Sequence, residues 1–504
     1  MHAGGVTGSS RRIPSVVRGA LAAASIALAA MVLALLVTPP VSVSAFGQTV
    51  EVGAVKPSFV LGISGPGQAD LFGEGTIETV QHFNGPIRPL IVWQRFNRND
   101  EASQFIQSSS SGGRRVVQTG SAQVGDALAA GWTSYFKQLL VIAGLLGGAL
   151  YLLGVGVLAL RHGHGHTPQS RRHYATMLAG SVVASVAVTA AFVALTAVSA
   201  STQLGAVRSL SDLTGTAKVA QVPLVAGPAR TNIDAVVIGD STAAGIGNAP
   251  LPSPTPQDTA CRRSADAYAE VLQSSSRFRV LNLACSSATI ADGLLGRQTT
   301  GSTVLPAQVG VLQSIVSTSV VLVSIGANDV GWSDFMRYCY GLPRCDDQVS
   351  QTLFESKLDS FKIQYAQLLQ QLSDLPSHPA VIVTEYYDPF GTTFDCAQLT
   401  DPQAAGGGPP GYGYAADPGQ GNQADKIRQK IEPLRSQLAQ LNSVLERGAQ
   451  AFGFVAVKPK FEGHELCSLQ PWVQGMSDSA PFHPNAAGEL AIAAAQLSSL
   501  PPAP

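Results

Sequence analysis

Four short stretches between residues 238 and 490 carry side chains that can do chemistry together. Ser241 sits in "IGDSTAAGIG" (238–247), Asn328 in "SIGANDVG" (324–331) and His483 in "SDSAPFHPNAAGEL" (477–490). A serine hydroxyl attacks at neutral pH only beside a base, and imidazole is suited to take and return that proton. An asparagine amide can donate to the oxyanion that an attacked carbonyl develops. The fourth stretch, "LACSSATIADGL" (283–294), offers backbone N–H groups among small polar residues around Ser287. Each piece also has a plainer reading. Asp240 or Ser241 can simply cap a helix, and Asn328 can be a turn residue.

The elements around them decide what these residues can reach. Apolar runs rich in β-branched residues occur at 233–238, 278–283, 319–325, 379–384 and 453–457. Helical patterns fall between them at 263–273, 306–317, 353–374 and 424–451. Such alternation predicts a parallel sheet with helices on both faces, in which chemistry gathers beyond the carboxyl ends of the strands. Ser241, Ser287 and Asn328 each follow a predicted strand, and His483 precedes the last helix. A serine at a strand-to-helix turn also faces a helix N-terminus, whose field favours developing negative charge.

In this order the blocks Gly239-Asp240-Ser241, Ser287, Gly326-Ala327-Asn328-Asp329 and His483-Pro484-Asn485 resemble the SGNH (GDSL-type) hydrolase family over about residues 232–500. The resemblance implies a flavodoxin-like α/β fold. It makes Ser241 the nucleophile and His483 the general base, with Asn328 and the backbone N–H groups of Ser241 and Ser287 forming the oxyanion hole. It implies no cofactor and no metal. Two positions depart from the family's pattern. Ser287 stands where the family usually has Gly, and a left-handed backbone there is uncomfortable for serine. The position three before the histidine, commonly Asp, is Ala480, and the nearest acid is Asp478. Similarity to actinomycete secreted esterases of the family implies that the main-chain carbonyl of Ala480 orients His483 instead.

The remaining sequence reads as membrane-associated. The chain has 504 residues, a net charge of −1 and only 13% charged residues, so nothing suggests a nucleic-acid surface. Mean hydropathy is +0.18. Three uncharged apolar stretches, 19–37, 139–160 and 175–200, each approach the roughly 20 residues needed to cross hydrocarbon. Arg161, Arg171 and Arg172 lie between the second and third, so the positive-inside rule places that loop in the cytoplasm and everything after 200 outside. "VSVSA" (41–45) also fits a processing site, which would make the first stretch removable. "HGHGH" (162–166) lacks Cys or carboxylate partners and reads as a connector rather than a metal site.

All six cysteines, Cys261, Cys285, Cys339, Cys345, Cys396 and Cys467, fall after 230, which reads as disulfides in an oxidising compartment. Sequence alone leaves 15 pairings open. The family resemblance implies consecutive ones, each pinning a loop beside the site. The resulting organisation is a stub and first apolar helix or signal sequence (1–45), a small external β-rich domain (46–130), and a transmembrane pair (131–200). A linker (201–230) and the external hydrolase domain (231–504) follow. The flexible "SSSSGG" (108–113) lies in the β-rich part, and "GGGPPGYGYAADPGQG" (406–421) borders the predicted pocket.

Three functions fit these features. One is a plasma-membrane, outward-facing carboxylester hydrolase acting on an ester, including a lipid or an acylated envelope glycan. A second is an acyltransferase passing the same acyl group to an envelope glycan or lipid. The third is a non-catalytic envelope-binding module.

Overall fold

The structure is a computed structural model. It describes residues 15–45, 48–56, 64–71, 76–93, 118–161, 196–208, 210–215, 232–341, 345–391, 423–475 and 478–501. The HGHGH run, the 108–113 and 406–421 segments, Cys396 and most of the third apolar stretch lie outside the described residues.

The N-terminal part combines helix α1 (Ser15–Val37) with strands β1 (Val41–Ala45), β2 (Gln48–Ala54), β3 (Ser64–Asp70), β4 (Ile77–Asn84) and β5 (Pro89–Trp93). The strands form one sheet in the order β1-β2-β5-β3-β4. The residues that fit a processing site are therefore strand β1, paired with β2 along its whole length. Helix α2 (Gln118–Arg161) is 44 residues long, about 66 Å at 1.5 Å per residue. It begins well before residue 131, so the boundary drawn there falls inside a helix. Its first half belongs to the core of the sheet: Val124, Leu128, Trp132, Tyr135 and Leu139 are buried, and Gly131 leaves no room for a Cβ against Val43. Its second half exposes Val141, Leu145, Leu152 and Leu153. Among the described residues, one helix, Gln123–Gly154, is long and apolar enough to cross a membrane. The first apolar stretch lies in α1, which packs along α2. A short helix α3 (Leu210–Thr214) packs on β4.

The second part is the expected parallel sheet. Strand β6 (Ala235–Gly239) leads into helix α4 (Ser241–Ala244), then α5 (Pro256–Cys261), α6 (Tyr268–Ser275) and strand β7 (Val280–Asn282). A hairpin, β8 (Gln298–Thr300) and β9 (Thr303–Leu305), precedes α7 (Gln308–Leu312) and β10 (Val320–Ser324). Helices α8 (Trp332–Gly341) and α9 (Gln348–Ser373) lead to β11 (Ala380–Thr384); α10 (Gln423–Ala451), β12 (Val455–Val457) and α11 (Ala486–Leu497) complete it. The strand order is β12-β11-β10-β6-β7, with every neighbouring pair parallel. All residues of β6 and β10 are buried, as a sheet covered on both faces requires.

The helix predicted at 263–273 begins later, as α6 at Tyr268, and the separate α5 (Pro256–Cys261) before it was not predicted. Thr255 and Asp258 form a reciprocal capping box that starts α5 early, and Arg262 adopts a left-handed conformation that ends it. Two disulfides, Cys261–Cys285 and Cys339–Cys345, join consecutive cysteines. Cys467 is also disulfide-bonded, and Cys396, its expected partner, lies outside the described residues.

Candidate active site

The site forms beyond the carboxyl ends of the central strands. Strand β6 ends at Gly239, where Asp240 caps α4 by accepting the Thr242 N–H at 3.0 Å, so Ser241 is held at the first turn of that helix. Gly239 is required by close approach: a Cβ there would lie 2.2 Å from the Ser324 carbonyl oxygen of β10. Its N–H donates to Gln308 Oε1 at 2.8 Å and its carbonyl accepts from Gln308 Nε2 at 3.0 Å.

Ser241 Oγ lies 2.9 Å from His483 Nε2, across 242 positions of sequence. His483 Nδ1 lies 3.1 Å from the Pro481 carbonyl oxygen. A carbonyl can only accept, so Nδ1 carries the hydrogen and Nε2 is left to accept the serine proton. This corrects the expectation for Ala480. The Ala480 carbonyl accepts the backbone N–H of His483 at 3.2 Å and also bears on the ring, whose Nδ1 hydrogen bond runs first to the next carbonyl, that of Pro481. The cause is Phe482, whose φ of 67° is left-handed and reverses the chain just before the histidine. That conformation is held on both sides, by Phe482 N–H to Gln474 O at 3.0 Å and Tyr387 Oη–H to Phe482 O at 2.6 Å. Gln474 Nε2 further donates to the carbonyls of Ile246 and Pro484, tying the histidine turn to the segment that follows the Ser241 helix.

Asp478 does not approach the ring. Its carboxylate accepts the Gly475 N–H at 2.7 Å within a local turn. Asn485, after the histidine, caps α11 by accepting from Ala487 and Gly488 N–H. His483 is half-buried, and that burial holds its pKa below 6.5 against the opposing pull of the Pro481 and Ala480 carbonyls.

Asn328, Ser241 and His483 line one cavity of about 40 Å³. Asn328 donates one amide hydrogen to the Ala288 carbonyl at 2.9 Å, which fixes the amide plane and leaves its second hydrogen for another acceptor. Ser287 is not among the residues lining this cavity. It has a φ of 64°, the left-handed conformation that made serine awkward there. The turn that carries it is tied down beside Gly239: Cys285 N–H reaches the Gly239 carbonyl, Ser286 N–H the Cys261 carbonyl, and the Cys261–Cys285 disulfide joins the two segments. The other cavity walls are mainly apolar, with Trp332, Met336, Leu438, Leu441 and Phe482, and among the described residues no Asp, Glu, Lys or Arg lines the cavity. A larger cavity, about 430 Å³, opens beside β7, but it contains none of Ser241, Asn328 and His483.

Two acids, one buried and one partly so, complete the surroundings. Asp240 is fully buried and its pKa is pushed up to about 6 by loss of water, opposed by the Tyr386 hydroxyl that donates to it. Asp329 is pushed up to about 7, first by loss of water and then by the Asp240 charge. Part of Asp329 remains accessible, yet its Oδ2 is shielded from water and has no hydrogen-bond partner among the described residues, so the carboxyl itself is desolvated. Sequence reasoning missed Gln308, Tyr386, Tyr387 and Gln474, because no local pattern marks a side chain that acts on a turn contributed from elsewhere.

With this geometry in place, comparison with known proteins is decisive for the family. Residues 237–491 match the model of the GDSL-like Lipase/Acylhydrolase family. The chain belongs to this family. It is therefore a GDSL-type serine ester hydrolase of the SGNH fold. Lipase 1 of Streptomyces coelicolor is 28% identical over 271 residues, which cover 50% of this chain and 81% of that protein. A lipase of Streptomyces rimosus is 26% identical over 272 residues, 53% of this chain and 85% of that protein. The crystal structure of the extracellular lipase from Streptomyces rimosus covers 53% of this chain and 99% of its own, at 21% identity and a TM-score of 0.37. The GDSL-like match spans the parallel sheet and leaves the N-terminal sheet and helices unmatched.

Proposed function

We propose that this chain hydrolyses carboxylic esters through an acyl-enzyme on Ser241, with its catalytic part held outside the membrane. The observation that carries this reading is the pairing of Ser241 Oγ with His483 Nε2 at 2.9 Å while Nδ1 is committed to the Pro481 carbonyl. In the first step Nε2 takes the hydroxyl proton as Oγ bonds to the ester carbonyl carbon. Negative charge moves onto the carbonyl oxygen, where the free Asn328 amide hydrogen and the backbone N–H groups of Ser241 and Ser287 receive it. The tetrahedral adduct collapses by losing the alcohol, which leaves with the proton from Nε2. Water then repeats the sequence on the acyl-enzyme and regenerates the serine. The Pro481 carbonyl supplies orientation and the correct tautomer, with less charge stabilisation than a triad carboxylate gives.

The uncharged, aliphatic and aromatic walls favour an acyl chain over a charged group, by about 0.8 kcal/mol for each CH₂ they bury. A lipid or an acylated envelope glycan is the class of substrate this reading assigns. Membrane anchoring is supported by the apolar second half of α2, and an external location by two disulfides in the catalytic part. The division into a short N-terminal segment, a small sheet unit, membrane helices, a linker and the hydrolase is part of the same proposal.

The test is covalent trapping. Wild-type protein exposed to a radiolabelled fluorophosphonate should carry label on Ser241, and Ser241→Ala should carry none while keeping its fold. Trapping the acyl-enzyme from a labelled ester, then offering water and a sugar alcohol together, measures the partition. Release mainly as free acid supports hydrolysis, transfer mainly to the sugar identifies an acyltransferase, and persistent labelling of Ser241→Ala removes this serine from the mechanism.

A further inference from the structure

Tyr386 follows strand β11, and its phenol ring is buried at 7% exposure. Its hydroxyl donates to the Oδ2 of Asp240, whose other oxygen caps the helix bearing Ser241. The same hydroxyl oxygen accepts the backbone N–H of Ala327 at 3.0 Å, the residue immediately before Asn328. The tyrosine's backbone is clamped in turn by Asn442 of α10, which accepts its N–H at 2.9 Å and donates to its carbonyl at 2.7 Å. Every member of this chain is fixed by a second contact. Asp240 N–H bonds to Ser324 O at the end of β10, and Asn328 bonds to Ala288 O.

We propose that Tyr386 is a positioning residue for the oxyanion site, its hydroxyl setting the separation between the nucleophile turn and the Asn328 turn. This rests on the hydrolase reading above. Both turns leave neighbouring parallel strands, β6 and β10, and nothing in the strand register fixes how far they splay once the ladder ends. The phenol spans the two with one oxygen, donating to one and accepting from the other. Removing it leaves a backbone N–H and a carboxylate oxygen without partners, and the two turns are free to relax toward other acceptors. The oxyanion is held by donors from both turns, so a small change in their separation is felt in the transition state and hardly in substrate binding.

The experiment uses the full chain in detergent, with a p-nitrophenyl ester for turnover and a fluorophosphonate for the rate of Ser241 labelling. Tyr386→Phe is expected to lower kcat and the labelling rate by about 10- to 100-fold, less than the roughly 10²- to 10³-fold cost of deleting a donor outright. KM should stay within about threefold, because the ester's ground-state contacts are untouched. In the double variant with Asn328→Ala the two losses should fall short of multiplying, since both act through the same donor. A labelling rate equal to wild type, or losses that multiply in full, would overturn the assignment. Absence of label on the wild-type serine would instead overturn the hydrolase reading itself. If Tyr386→Phe fails to fold, 3,5-difluorotyrosine at 386 keeps the shape and weakens the oxygen as an acceptor. A drop in labelling rate then supports the assignment, and an unchanged rate overturns it.

Discussion

Asp329 makes the stability of this protein depend on pH in a direction opposite to that of most carboxylates. Its folded pKa is raised from 3.8 to about 7, so between these values the unfolded chain has lost the proton and the folded one keeps it. The unfolded state then binds fewer protons, and stability falls as pH rises through that window. At 1.36 kcal/mol per pH unit the full interval corresponds to about 4 kcal/mol above pH 7, an order-of-magnitude figure. Asp329→Asn removes the titration while keeping an oxygen for the Ile290 N–H, which Oδ1 accepts at 2.9 Å. The amide's NH₂ takes the place of an oxygen that has no partner, a cost of about 1–3 kcal/mol that the protonated acid already bears in part. We therefore expect the variant to match wild type near pH 4 and to exceed it by about 2–3 kcal/mol at pH 8. Hydrogen exchange of peptides covering β10, measured on both proteins from pH 4 to 8 and corrected for intrinsic exchange, reads this difference within the catalytic part. A stability difference that stays flat across that range, or shrinks as pH rises, would refute the desolvation argument.

Three further outcomes follow from the site and the chain's organisation. His483→Ala should be inactive, whereas Asp478→Asn should keep kcat within about threefold, because the carboxylate serves the Gly475 turn; a collapse toward the 10⁴-fold effect of losing a triad acid would show that it reaches the ring. The acid limb of kcat/KM should have its midpoint below 6.5, since burial depresses the His483 pKa and the neutral ring persists to lower pH; a midpoint above 6.5 contradicts this. Reporter enzymes fused after residue 500 should be active only outside the cytoplasm and those fused near 167 only inside, and the reverse pattern would overturn the proposed topology.

The meeting of Ser241, Asn328 and His483 was legible because a parallel sheet exposes only its strand ends, so a serine, an asparagine and a histidine at such positions have few other places to meet. The family blocks implied the roles proposed for them. The histidine's partner was misplaced by one residue because counting back three positions assumes an ordinary turn. Phe482 in a left-handed conformation rotates the preceding carbonyls, and no sequence rule predicts that for a phenylalanine. The early start of α2 was hidden for a related reason. Residues 118–139 mix small and polar residues with Val124, Leu128, Trp132 and Tyr135, a helical stripe that reveals its partner only once the sheet is present. Tyr386 was invisible from sequence: its role exists only because β11 lies two strands from β6 and its side chain crosses the end of β10.

Gln308 offers Gly239 a donor and an acceptor, and its amide shares the Gly239 carbonyl with Cys285 N–H, the last bond from the segment that continues β7. The primary amide of a helix thus serves as one more rung of the sheet, and a glycine too crowded for any side chain is gripped through its peptide group. For anyone interpreting natural or engineered variation, position 308 should behave like part of the proposed catalytic apparatus although it does not line the Ser241 cavity. A glutamate there keeps the acceptor and loses the donor, so even this near-isosteric change strips one strut from the turn that aims Ser241. A mutational screen that scores activity alone would group 308 with 241. One that also scores abundance would separate the residue that reacts from the residue that holds it still.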